Sequence, residues 1–331
     1  MTVAVIVVNW NGGTLLRRCL EALASQTRSA DRVIVVDNAS TDDSLERAEP
    51  FLDGVQVIRL NENVGFARAN NLAAGATLGF DALALLNPDA FADARWLEAL
   101  VEAAERHPAY GSFASQMRLA ASPDVLDGAG DAYHVSGRAW RSGYGSPAAT
   151  WPAHDAEVFA PCAAAALYRR SAFDDVQGFD ERYFCYFEDV DLGFRLQLKG
   201  YPCLYVHDAK VDHVSSGLTG RRSDFSTYHG ERNMVWTFVK DMPGHLLWWY
   251  LPQHLVLNLV SLVFYASRGQ AGVVWRAKLD AVRALPAVIR QRGEVQRSRR
   301  VGVDVLRRAF THGVMAPYLR RYSSSARQPV P

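Results

Sequence analysis

Four short apolar runs recur through residues 3–86, and each gives way to Asn or Asp within a few residues. Val3-Ala4-Val5-Ile6-Val7-Val8, Arg32-Val33-Ile34-Val35-Val36, Val55-Gln56-Val57-Ile58-Arg59-Leu60 and Ala82-Leu83-Ala84-Leu85-Leu86 have the length and β-branched content of buried strands. Helical patterns lie between them. Leu15, Leu16, Cys19, Leu20 and Leu23 share one helical face, and a small-residue helix is expected to run as far as Gly79. Strand and helix in alternation imply right-handed crossovers and a parallel sheet.

Such sheets bind ligands beyond the carboxyl ends of their strands. Asn9, Asp37, Asn38, Ser40, Asn63, Gly65, Asn87 and Asp89 stand at those ends. Asp37 is placed to accept from the N3–H of a pyrimidine, and Asp89, after Pro88, offers hard oxygen to a divalent cation. Taken singly, these residue types are also ordinary caps and turns. Neither a dinucleotide-binding GxGxxG nor a phosphate loop is present, which weighs against a nicotinamide or ATP site.

A second constellation follows an aromatic cluster. After Tyr183, Phe184, Tyr186 and Phe187, the chain places Glu188, Asp189 and Asp191 in four positions, then Leu192-Gly193-Phe194-Arg195-Leu196. Acidic residues suit the positive end of a helix dipole. Carboxylates crowded by aromatics are also desolvated, which raises their pKa toward that of a useful base. Residues 110–160 are irregular and rich in Gly and aromatics, as in a meander or a loop region over a site. Val158 to Tyr168 reads as one strand, Arg169 to Phe173 as the start of a short helix, and Pro202 to Val206 as a late strand, with His213 just beyond a further short strand. Arg221, Arg222, His229, Arg232 and Asn233 supply groups that could meet a diphosphate.

Residues 266–331 hold 14 Lys/Arg against 3 Asp/Glu, leaving an acidic remainder of 22 basic and 32 acidic residues. Before this basic end, residues 245–265 are apolar and aromatic but interrupted by Pro252, Gln253, His254 and Asn258. The pairing suits helices lying on an anionic membrane, with a bilayer span or a packed core or dimer helix as alternatives. No nucleic-acid partner is expected. Met1-Thr2 runs straight into a strand, so no leader is expected, and Cys19, Cys162, Cys185 and Cys203 form no CxxC pair. They read as reduced thiols of a cytoplasmic protein peripheral to the inner face of the cell membrane.

The ordered motifs resemble glycosyltransferase family 2, the inverting GT-A type, and within it the bacterial rhamnosyltransferase-like branch. They are Val7-Val8-Asn9-Trp10-Asn11, Val36-Asp37-Asn38-Ala39-Ser40-Thr41-Asp42, Asn63-Val64-Gly65-Phe66-Ala67, Leu86-Asn87-Pro88-Asp89-Ala90, Gly178-Phe179-Asp180-Glu181 and Phe187-Glu188-Asp189-Val190-Asp191-Leu192. The resemblance implies a Rossmann-like mixed sheet with helices on both faces. It assigns a GT-A domain to 1–240, with a nucleotide-sugar half (1–110) and an acceptor half (111–240), and composition adds a helical membrane-associating extension at 241–322 and a disordered tail at 323–331.

It also implies roles. Asp37 contacts the pyrimidine, while Asn9, Asn38, Ser40, Asn63 and Gly65 shape the nucleotide pocket. Asp89, with Asn87 in place of a first Asp, binds Mg²⁺ or Mn²⁺, and His213 is a further metal ligand. Asp189 is the general base, and Glu188 and Asp191 support it or bind acceptor hydroxyls. The absence of a QxxRW element implies transfer of one sugar per encounter. The expected reaction moves a sugar, plausibly rhamnose, from a dTDP- or UDP-sugar to a lipid-linked or polysaccharide acceptor, by a chain that could be a homo-oligomer. A non-catalytic membrane module binding nucleotide-sugar or glycan, and a nucleotidyltransferase, are the competing readings.

Overall fold

The computed structural model describes residues 1–215 and 223–318. The expectations for Arg221, Arg222 and a tail at 323–331 lie outside the described residues.

The first half follows the alternation: β1 (Val3–Asn9), α1 (Thr14–Ala24), β2 (Arg32–Asp37), α2 (Ser44–Ala48), β3 (Gln56–Arg59), α3 (Gly65–Gly75) and β4 (Ala82–Leu86). These four strands lie parallel in the order β4-β1-β2-β3. All of β1 is buried, as a central strand must be. β3 is half-exposed, because it closes the sheet edge and has a neighbour on one side only. α1 covers one face with Leu16, Cys19 and Leu20, and the small-residue α3 covers the other.

The second half adds β5 (Ala90–Ala92), α4 (Trp96–Arg106), β6 (Ser112–Leu119), β7 (Ser122–Ala129), β8 (Asp131–Tyr133), β9 (Ala139–Arg141), β10 (Ala156–Val158), β11 (Ala165–Arg169), α5 (Arg170–Asp175), α6 (Glu188–Lys199) and β12 (Cys203–His213). The sheet then runs β10-β12-β6-β11-β4-β1-β2-β3, with β5 on β12 and β7 on β6. β11 is antiparallel to both neighbours, so the sheet is mixed.

Of the two alternatives for 110–160, meander or loop region, the antiparallel pairs β6–β7 and β8–β9 favour the meander, and β6 lies deep in the sheet on long-range partners that no local periodicity would reveal. Two expectations are corrected here. Val158 to Tyr168 is not one strand, because β10 ends at Val158 and β11 starts at Ala165 on a different neighbour. The two late strands are one, β12, with a bulge between Val206 and Lys210 that lets it pair with β6 on both sides of the irregularity.

Helices α7 (Asp224–Asp241), α8 (Leu246–Ala266), α9 (Ala271–Arg283), α10 (Leu285–Arg297) and α11 (Val303–Ala309) complete the chain. They share a core with the sheet-bearing part of the chain. Phe194 of α6, Phe238 of α7, Leu246 and Tyr250 of α8 and Phe310 after α11 pack with Tyr133 and Phe159.

Candidate active site

A cavity of about 390 Å³ opens at the carboxyl ends of β1, β2 and β4. Asn38, Asn63 and Gly65 line one side, Asn87 and Asp89 another, and Glu188, Asp189, Asp131, Arg141 and His213 a third. Trp10, Trp140, Phe184, Tyr186 and Phe225 add aromatic surface.

Sheet register explains the first side. Asn9 and Asp37 are Cα partners across β1 and β2. The Asn9 side-chain amide donates to Asp37 Oδ1 (3.0 Å), Ser40 Oγ (3.0 Å) and Ser44 Oγ (2.9 Å). The Asn38 amide donates to Asn63 Oδ1 at 2.9 Å, and Asn63 Oδ1 also accepts from the Gly65 N–H at 2.9 Å. Asn38 and Asn63 therefore line the cavity, while Asn9, Asp37 and Ser40 form a buried or half-buried network just behind it.

Register also brings Asp89 to His213. β5 begins one residue after Asp89, and its Ala90 pairs with His213 at the end of β12. His213 Nε2 lies 3.2 Å from Asp89 Oδ1, while Nδ1 lies 2.7 Å from Asp127 Oδ2. Asp127 sits on β7 and also pairs with Arg141. A carboxylate on Nδ1 fixes the orientation of the ring and aims Nε2 at Asp89. Asp89 Oδ1 is buried and accepts no aligned hydrogen bond. Burial acts to raise the Asp89 carboxyl, but the imidazole beside it outweighs this and holds it below the usual range. An orphaned carboxylate oxygen beside an oriented imidazole nitrogen is a donor set that fits a divalent cation.

The third side rests on a strained loop. Phe184, Tyr186 and Phe187 all have positive φ, at 65°, 66° and 67°. Each such residue costs of order 1 kcal/mol, and such strain concentrates at functional sites. Asn233 of α7 holds the loop by donating to the carbonyls of Tyr183 (3.0 Å), Cys185 (3.0 Å) and Tyr186 (2.6 Å). Arg232 donates to the Tyr183 carbonyl at 3.0 Å and lies over the Trp236 ring. Arg232 is therefore not a cavity cation, a correction to its expected role: its guanidinium is occupied in bracing the loop. Asn233 is likewise a brace, and His229 stacks on Phe184.

The loop delivers Glu188 and Asp189 to the cavity at the start of α6. Asp189 accepts from the backbone N–H of Val190 (2.8 Å) and of Ala163 (3.2 Å). Burial raises its pKa against those two bonds and Arg141. Burial, then the Asp189 charge, raises Glu188 well above the carboxylate range. Asp191 points the other way. It is fully buried and bound to Lys240 and Arg195, so it cannot touch an acceptor hydroxyl, and its expected role there is corrected. The two residues from Asp189 to Asp191 turn the side chain by about 200° about the helix axis, which separates the two directions.

Asp127, Asp131 and Arg141 are site residues that sequence reasoning missed. Asp131 and Arg141 are Cα partners across β8 and β9. Asp131, Cys162 and Asp189 bring their ligand-type atoms within 4.8 Å of one another. Burial, then the charge of Asp189, pushes the Asp131 carboxyl up to about 8. The available signal was Asp127-Gly128-Ala129-Gly130-Asp131, two carboxylates framed by small residues. A Cβ on Gly128 would meet the aliphatic stem of Arg141, with its Cβ at 3.0 Å, so the small residue lets that stem pass. Among the aromatics of this region, Trp140 faces the cavity, whereas Tyr133 and Trp151 are core.

A carboxylate with raised pKa, a cation-type donor set and a guanidinium thus share one cavity with strand-end amides. The glycosyl transferase family 2 model matches residues 4–177. The N-acetylglucosaminyl-diphospho-decaprenol L-rhamnosyltransferase of Mycobacterium tuberculosis is 31% identical over 285 residues, covering 77% of this chain and 88% of its own length. The O-antigen chain rhamnosyltransferase RfbN of Salmonella typhimurium is 28% identical over 236 residues, covering 69% and 70%. Among solved structures, a mannosyltransferase from Pyrobaculum calidifontis in complex with GDP-Man and Mn²⁺ shares the fold at a TM-score of 0.54 and 17% identity, covering 89% of this chain and 85% of that one.

Proposed function

The chain belongs to glycosyl transferase family 2 and is a glycosyltransferase, and we propose that it transfers a single sugar, L-rhamnose from a pyrimidine nucleotide such as dTDP, with inversion, to a lipid-linked glycan acceptor in cell-surface polysaccharide synthesis. The juxtaposition of Asp89 and His213 with Asp189 across one cavity carries the reading. The two rhamnosyltransferase relatives, one of them named for a decaprenol-linked substrate, support the sugar and the acceptor class.

In this reading Asn38, Asn63 and Gly65 hold the nucleotide, backed by the Asn9–Asp37–Ser40 network. Asp89 and His213 would hold Mg²⁺ or Mn²⁺, which when bound neutralises charge on the leaving diphosphate. Asp127 orients His213 for that role. Arg141 adds a fixed positive charge to the same wall.

Asp189 takes the proton from the acceptor hydroxyl as its oxygen bonds to the anomeric carbon, and the bond from that carbon to the diphosphate oxygen breaks on the opposite face. Burial that raises Asp189 is what makes it a competent base. Glu188, whose carboxyl burial and the Asp189 charge raise well above the usual range, lines the cavity beside the base. Residues 1–110 form the donor half and 111–240 the acceptor half, the latter supplying Asp131, Trp140 and the Glu188–Asp189 pair. The enzyme works at the cytoplasmic face of the membrane that carries its acceptor.

The test is thermal stability with dTDP, UDP, GDP and ADP, each with Mn²⁺ or EDTA, followed by transfer from the donor so identified. A ligand at about 100 times its Kd adds roughly 2.7 kcal/mol. Metal-dependent stabilisation by dTDP or UDP is expected. A folded sample that responds to no nucleotide, or to purine nucleotides alone, overturns the donor assignment.

A further inference from the structure

Helix α8 has the length and composition of a membrane span, with 21 residues from Leu246 to Ala266. Its packing says otherwise. Leu246, Leu247, Tyr250, His254, Leu257 and Ser261 are all buried, and they recur at helical spacing along one face. His254 Nδ1 pairs with the Ser136 carbonyl at 2.8 Å, its ring stacks on Phe238 at 3.9 Å, and Ser261 hydrogen-bonds Glu231 of α7. The anchored length from Leu246 to Ser261 is about 22 Å at 1.5 Å per residue. A helix fixed to a folded domain over that length cannot be surrounded by the roughly 30 Å of hydrocarbon that a span requires.

The opposite face is apolar and uncovered. Trp248 is 72% exposed, Trp249 74%, Leu259 62% and Val263 72%. The next two helices repeat a pattern beside it. Trp275-Arg276, Val282-Arg283 and Ile289-Arg290 each place an exposed apolar residue before an exposed arginine, at intervals of seven. Within α9, the seven residues from Trp275 to Val282 bring the side chain back to within about 20° of the same face, and Ile289-Arg290 repeats the pair on α10. α9 lies on α7 through Val274, Ala277 and Ala281 and alongside α8, so the outward faces of both helices turn away from the same support. Asp280, the acidic residue of α9, is engaged with Tyr228 and Arg283.

We infer that the outer faces of α8, α9 and α10 form a monotopic dock for an anionic lipid bilayer, with Trp248, Trp249, Val263 and Trp275 immersed and Arg276, Arg283 and Arg290 on the lipid phosphates. Apolar side chains that sink about 5–10 Å, ringed by arginines, are what an interfacial helix presents, and the positive row supplies the charge complementarity that a copy of the same surface would lack. Gln270, in the α8–α9 turn, donates to Asp224 at the start of α7 at 2.8 Å. The neighbouring Phe225 lines the cavity. The dock therefore sets the cavity rim beside the bilayer, where the head of a lipid-linked molecule would emerge. The inference stands on the packing of these helices and does not depend on the assignment of Asp189.

The experiment uses the full chain with sucrose-loaded vesicles of phosphatidylcholine alone or mixed with phosphatidylglycerol. It reads co-sedimentation and tryptophan emission. Binding to the anionic vesicles with a blue shift, and release by alkaline carbonate, is the expected result. At about fivefold per arginine, the Arg276→Gln/Arg283→Gln/Arg290→Gln variant should lose about a hundredfold in vesicle affinity. Trp248→Ser/Trp249→Ser should lose the blue shift. Both variants are checked by circular dichroism and thermal melting, and for unchanged nucleotide binding. Retention in the membrane after carbonate overturns the in-plane geometry. Equal affinity for neutral vesicles overturns the role of the arginines. Failure to bind either vesicle, with a concentration-dependent dimer in solution, assigns the face to a second copy instead.

Discussion

Asp131 and Asp189 hold their carboxylates within 4.8 Å of each other in the cavity, one from a strand and one from the start of a helix. The Asp189 charge disfavours ionisation of Asp131, and the two groups titrate as a pair. Asp189→Asn should therefore abolish transfer by about 10²- to 10⁴-fold while leaving nucleotide binding intact. Calorimetric titration of the nucleotide alongside a transfer assay separates the two effects, and near-normal turnover by this variant would falsify the base assignment.

Asp131→Asn should act differently. The Asp131 carboxyl titrates at about 8 in the folded protein, against about 3.9 when unfolded. The folded state holds the extra proton, so the contribution to stability is fully present below the unfolded value and is lost as pH rises toward about 8. Asp131→Asn should raise the melting temperature at alkaline pH and flatten its decline across that window. It should leave the acid limb of the pH–rate profile, set by Asp189, in place, because Asp131 is already protonated there, and should remove any inflection near pH 8. An inflection that persists in the variant would mean that Asp131 is not its source.

Asp127 never lines the cavity but bonds His213 Nδ1 at 2.7 Å. Asp127→Asn keeps the shape and loses the charge that orients the imidazole. Mn²⁺ affinity should fall about 10- to 100-fold, as for other carboxylates that back a metal-binding histidine. Water-proton relaxation of Mn²⁺ reports this without any substrate. Asp89→Asn should lose more, having given up a donor oxygen itself.

Lys240 is 2% exposed between Asp180 and Asp191. Burial acts to raise the Asp180 carboxyl, but Lys240 and Arg182 hold it well below the usual range. A depressed carboxyl contributes stability above its unfolded pKa and gives it up as pH falls through the folded value. Lys240→Met leaves Asp180 with Arg182 alone and Asp191 with Arg195 alone, so the cost near neutral pH should stay below the roughly 3–5 kcal/mol of a fully broken buried pair. Urea unfolding should show that deficit shrinking toward acid pH, where protonation removes the charges.

The strand-end residues were legible because sheet physics fixes where a ligand goes: once β1, β2 and β4 are recognised as buried runs, Asn38, Asn63 and Asp89 must gather at one edge. His213 was legible only through the family resemblance, since the bulge in β12 that carries it to Ala90 has no local signature. Asp127, Asp131 and Arg141 come from β7, β8 and β9; β7 turns straight back on β6 with shifts in register and β8 pairs with β9 over three residues each, so these hairpins are too irregular or too short for a period to mark them. Asp191 was misplaced because a run of acids looks uniform in one dimension, while the helix turns each by about 100°. The apolar 245–265 stretch was ambiguous for the same reason: which side of α8 is covered depends on Ser136, Phe238 and Glu231, none of them near it in sequence.

Gly65 provides the last test, because its strain can be divided into two parts. Its φ is +83°, and a Cβ there would lie 2.6 Å from the Phe184 ring and from the Phe184 carbonyl oxygen. Gly79 has a similar φ of +93° with nothing within 4 Å of its Cβ position. Gly79→Ala should therefore cost only the left-handed conformation, about 1 kcal/mol, and leave nucleotide affinity unchanged. Gly65→Ala carries the same cost and must also displace Phe184, whose backbone already stands at positive φ and whose carbonyl accepts from the Ala67 N–H at 3.2 Å. It should be the more destabilising by a further 1–3 kcal/mol or so, and should weaken nucleotide binding and turnover together, since the Phe184 loop also carries Glu188 and Asp189. Equal losses for the two variants would mean that the loop yields freely, and that its strain has no part in holding the catalytic carboxylates.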